Sequence, residues 1–113
     1  MSLQGYEATQ VVVEGPRQTE YRLFATITRA LMDAAKNTES KTALVAAVDW
    51  NRRLWSTLQF DLADDDNGLP DDLKARLTSV AIWVDKHSSL VMRGEGNVDS
   101  LIDVNRTIME GLV

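Results

Sequence analysis

The amino-acid sequence predicts an all-α fold: a small bundle of four amphipathic helices with short connections and an N-terminal arm. Three observations carry this. Each long segment repeats its apolar residues at helical spacing, no segment alternates as a half-buried strand does, and Gly, Pro, Asn and Asp cluster between the periodic stretches. At 113 residues the chain is one domain, with a core large enough to need no staples.

Residues 1–14 show no helical period and read as an arm, either disordered or docked; Val11-Val12-Val13 is too short to form a sheet alone. Residues 15–113 read as a single helical domain. Gly15-Pro16 opens the first helix, since proline is tolerated where its missing N–H has no partner to lose. At about 100° per residue, Leu23, Phe24, Ile27, Ala30, Leu31 and Ala34 share one face as far as Asn37. Asn37-Thr38-Glu39-Ser40 breaks the pattern with side chains able to cap. A second helix then spans about 40–63, with Ala43, Leu44, Ala47, Val48, Trp50, Leu54, Trp55, Leu58 and Leu62 on its apolar arc.

Asp64-Asp65-Asp66-Asn67-Gly68 ends that helix, because Asn67 and Gly68 accept a left-handed terminus and three carboxylates oppose the dipole there. Leu69-Pro70-Asp71-Asp72 opens a third helix over about 70–93, striped by Leu73, Leu77, Val80, Val84 and Val91 and flanked by Trp83 and Leu90. Gly94-Glu95-Gly96 stops it. Asn97 caps a fourth helix to about Glu110, with Val98, Leu101, Ile102, Ile108, Met109 and Leu112 on one face.

One pattern occurs twice. Asp49-Trp50-Asn51-Arg52 and Asp103-Val104-Asn105-Arg106 lie on the second and fourth helices, and each asparagine falls at the centre of an apolar arc. Both amides therefore point inward. A buried amide without partners costs about 1–3 kcal/mol, so the two either fix the pairing of their helices or line a polar slot in an apolar groove. Asp49 is also spaced for helical ion pairs with Arg52 or Arg53.

Catalytic chemistry finds few candidates, and no catalytic, cofactor or metal residue is expected. The chain has no cysteine and one histidine, His87, which reads as packed near Trp83 with one hydrogen bond. Gly94-Glu95-Gly96 is no dinucleotide loop, since it follows a helix and Asp99 stands at the third glycine position. The aspartate run lacks calcium-loop spacing, with Ala75 at the place of the closing glutamate. No stretch reaches the roughly 18 apolar residues of a membrane span and no signal peptide is visible, which together point to the cytoplasm. A net charge of −5, with the arginines scattered over all four helices, argues against direct nucleic-acid binding.

The second helix has more apolar circumference than one neighbour can cover. Trp50 and Leu54 on one flank, Phe60 off the arc and Ile82 outside the third helix's stripe are the expected partner-binding residues. Val11–Val13 of the arm are the competing cover.

Gly15-Pro16-Arg17-Gln18-Thr19-Glu20-Tyr21-Arg22-Leu23-Phe24, Asn51-Arg52-Arg53-Leu54-Trp55, Leu69-Pro70, Ile82-Trp83-Val84 and Ile102-Asp103-Val104-Asn105-Arg106-Thr107-Ile108-Met109-Glu110-Gly111-Leu112 resemble the FlaF family of bacterial flagellar biosynthesis regulators. The resemblance covers roughly residues 15–112. Asn51, Arg52, Trp55, Trp83, Asp103, Asn105 and Arg106 are its motif residues for which a structural role is expected. It implies a cytoplasmic protein of flagellum biogenesis that binds flagellin as an export chaperone and promotes flagellin production, in opposition to a partner called FlbT. The alternative it leaves open is a regulator acting on flagellin messenger RNA or translation, directly or with FlbT. It defines no catalytic site. An uncovered apolar patch on the helices would serve either flagellin or self-association as a homodimer.

Overall fold

A computed structural model of the chain describes residues 16–112, with side chains from 20 to 111. Residues 1–14, read above as an arm, lie outside the described residues, as does the side chain of Leu112. Four helices follow one another: α1 (Pro16–Lys36), α2 (Lys41–Leu62), α3 (Asp71–Met92) and α4 (Val98–Leu112). No strand occurs among the described residues.

Each boundary has a local cause. α1 opens on Pro16. Ser40 caps α2, its hydroxyl oxygen accepting from the amide of Ala43 at 3.1 Å. Pro70 stands one position before α3, and Asp71 and Asp72 occupy the first turn, where the helix dipole favours carboxylates. Asn97 caps α4 by accepting from the amide of Asp99 at 2.8 Å.

α3 ends in a Schellman arrangement. Gly94 adopts φ 79°; its amide reaches the Val91 carbonyl at 3.0 Å, and that of Glu95 reaches the Leu90 carbonyl at 2.8 Å. α2 stops differently, because Gly68 is not left-handed and the C-cap Ala63 stays right-handed. Short polar side chains close this turn instead. Asn67 Nδ2 donates to the Asp61 carbonyl at 3.1 Å, Asn67 Oδ1 accepts from the Leu69 amide at 3.0 Å, and Asp64 Oδ1 accepts from the Asp66 amide at 2.9 Å.

In the bundle α1 lies between α2 and α4, α2 packs along α3, and α3 meets α4 only lightly. Phe24, Ile27, Leu31, Val48, Trp55, Val84, Val91, Leu101 and Ile102 form the core, with Trp55 set edge-on to Phe24 at 5.7 Å. Leu23 and Trp50, which the helical wheel puts on apolar arcs, are partly exposed. Thr28 and Ser88 are buried although nothing in their residue type marks them as core, and Ala81 is buried outside the stripe read for its helix.

The bundle is held at its centre by polar atoms. Asn51 and Asn105 have no exposed surface. Asn105 Nδ2 donates to Asn51 Oδ1 at 2.7 Å and to Thr28 Oγ1 at 3.1 Å, while Asn105 Oδ1 accepts from the indole N–H of Trp55 at 2.9 Å. Both N–H groups and the oxygen of this amide are therefore used, and they tie α4 to α1 and α2. Asn51 Nδ2 and the hydroxyl of Ser88 have no partner.

This asymmetry sets two expectations. Asn105→Ala strands Trp55, Asn51 and Thr28 and should cost on the order of 3 kcal/mol, whereas Asn51→Ala also removes an orphaned N–H and should cost roughly 1–2 kcal/mol. Urea unfolding measures both, and the reverse order would place the hub on Asn51. Ser88→Ala deletes an unpartnered buried hydroxyl, so its unfolding midpoint should stay level or rise; a loss beyond about 1 kcal/mol would mean that the hydroxyl is bonded after all.

Candidate partner-binding surface

The four residues expected to bind a partner are not brought together. Trp50 is 42% exposed and edges a shallow cleft of about 360 Å³ between α1 and α2, whose floor is Ala30, Ala34 and Ala47. Small side chains on both helices make this trough and leave the indole standing above it. Leu54, one turn on, is half-buried and packed against the core. Phe60 is 82% exposed; ten residues beyond Trp50, it sits about 80° around the helix and points away from the buried row. Ile82 is 43% exposed on the outer side of α3.

The motif residues divide by role. Asn51, Asn105 and Trp55 form the buried junction, and neither asparagine lines any of the three clefts described here. Both amides of the junction are fully buried between the helices. Asp49 receives Arg52 at 3.4 Å and Arg53 at 3.0 Å, surface pairs worth a few tenths of a kcal/mol, about the scale measured for helical neighbours. Asp103 is exposed, and Arg106 borders a shallow cleft with Tyr21, Met109 and Glu110. Trp83 lies stacked on His87, with ring centroids 4.7 Å apart and planes within 11°. The Nε2–H of His87 donates to the Asn97 carbonyl at 2.8 Å, so the single histidine fastens α3 to the start of α4.

The largest of the three clefts was not visible in the residue pattern. It encloses about 630 Å³ at the end of the bundle where α2 stops and α3 begins, floored by Leu58, Leu62, Leu73, Leu77 and Ile108, with Glu20 and Asp61 at its edge. It lies among the last turns of α2, the first turns of α3 and the part of α4 that contributes Ile108 and Gly111.

Among the described residues no three His, Asp or Glu side chains converge to hold a metal, and no helix is long and apolar enough to cross a membrane.

No curated protein and no solved structure matches the chain. A family model does: that of the flagellar protein FlaF, over residues 2–112. The match takes in the four helices, the double asparagine pattern that joins them, and residues 2–14, which the resemblance drawn from the motifs left out. The chain belongs to the flagellar protein FlaF family.

Proposed function

We propose that this protein is a non-enzymatic cytoplasmic chaperone that binds flagellin before export and so promotes flagellin production. The observation that carries the reading is a flagellar family assignment on a body that presents exposed aromatic side chains, Trp50 foremost. Flagellin awaiting export must be kept from assembling, and an apolar helix of the client laid against the bundle would do so by the ordinary helix-in-groove mode. Trp50 beside its alanine trough is the best anchor for such a contact, since exposed aromatic residues dominate binding energies when they become buried. Phe60 and Ile82 stand on other faces and serve as secondary contacts. The other reading is a regulator working on flagellin messenger RNA or with FlbT. Direct RNA contact has the net charge of −5 against it.

Titration calorimetry with a flagellin terminal fragment tests this. Trp50→Ser is expected to weaken binding by about tenfold or more while circular dichroism shows unchanged helix content, because the indole is an exposed anchor. Undiminished affinity in the folded variant would remove Trp50 from the contact. Co-purification of RNA in place of flagellin would overturn the chaperone reading itself.

A further inference from the structure

We infer that the cleft at the open end of the bundle is a second docking site, and that it takes an apolar peptide segment flanked by lysine or arginine. The inference stands apart from the flagellin reading, and the cleft shares no lining residue with the trough beside Trp50.

The floor is a set of leucines and Ile108 that the bundle covers only in part. Leu58, Leu73, Leu77 and Ile108 are each half-buried, and Leu69 at the lip is 39% exposed. A volume of about 630 Å³ is within the roughly 300–1,000 Å³ of sites that enclose a compact ligand, and so has room for a few large side chains. The rim is open as well, since a Cβ added at Gly68 or at Gly111 would meet nothing within 4 Å.

The charge around the floor selects the occupant. Glu20 and Asp61 are exposed at the edge, no lysine or arginine among the described residues lines the cleft, and the adjoining turn carries Asp64, Asp65 and Asp66. An acidic rim around an apolar floor attracts a segment that carries the reverse, apolar side chains inward and basic ones at the sides, and it repels an acidic segment. A second copy of this chain, with its net charge of −5, is a poor match. So is the N-terminal stretch that holds Val11–Val13, which lies between Glu7 and Glu14.

The test uses the full chain, labelled with nitrogen-15, and two synthetic amphipathic peptides of one pattern, leucine with lysine and leucine with glutamate. The lysine peptide should shift the amides of Leu58, Gly68, Leu73, Leu77 and Gly111, and the glutamate peptide should bind at least about tenfold more weakly, as a few surface charge pairs would produce. Glu20→Lys with Asp61→Lys should erase or reverse that preference. Glu39→Lys with Asp85→Lys, the same change in charge at exposed positions elsewhere, should leave it. Four results would each overturn the inference: no binding; shifts centred on Trp50 or spread over the surface; equal effects of the two double variants, which would reduce the preference to net charge; or a cleft already filled. The last would appear as nuclear Overhauser contacts from Val11–Val13, or as peptide-free shifts that grow with protein concentration and reveal a second copy.

Discussion

One amide organises this bundle. Asn105 spends both N–H groups and its oxygen on three residues from two other helices, inside a core where an unmet polar group is expensive. Apolar side chains would let α4 slide or rotate against α1 and α2 at little loss, because leucine packs nearly as well one turn away. An amide that must meet Asn51, Thr28 and Trp55 together permits one register. The aromatic contact of Phe24 with Trp55 follows from the same geometry, since the indole is turned so that its N–H reaches the amide.

With α4 fixed in this way, the described apolar surface opens in more than one place. The helix runs back from the Schellman turn at Gly94 and brings Ile108 to the end cleft, beside the half-buried Leu58, Leu73 and Leu77. At the other end, alanines on α1 and α2 bring those helices together with only a shallow trough beside Trp50. The apolar surface is therefore split among separate places. An account of partner binding has to treat the trough and the end cleft as different sites with different chemistry around them.

The helices were legible in the sequence because their signals are local. Pro16, Ser40, Asp71, Gly94 and Asn97 each act within one turn, and the boundaries read from them fall within about two residues of those observed, as is usual for helix ends. The inward asparagines were legible too, since a polar residue at the centre of an apolar arc can face only inward. Thr28 and Ser88 were not. A hydroxyl on a helix reads as surface unless the neighbour that buries it is known, and those neighbours come from other helices. The left-handed turn expected at Gly68 failed for a related reason: Asn67 and Asp64 bonded the loop with their own side chains, which composition does not distinguish from the glycine solution. Phe60 and Trp50 could be seen to lie at different angles on α2, but their separation into distinct faces needed the positions of α1 and α3.

The junction also dictates an order of assembly. The partners of Asn105 lie 77, 54 and 50 residues before it, whereas α2 and α3 are joined by a short turn and can pair as a local hairpin. As the chain emerges from the ribosome, that hairpin and α1 can meet while Asn51, Thr28 and Trp55 still face water, which meets their hydrogen-bonding needs without strain. The arrival of α4 expels that water and completes the polar contacts together, and their wide separation in sequence makes this the closure with a large loop-entropy cost.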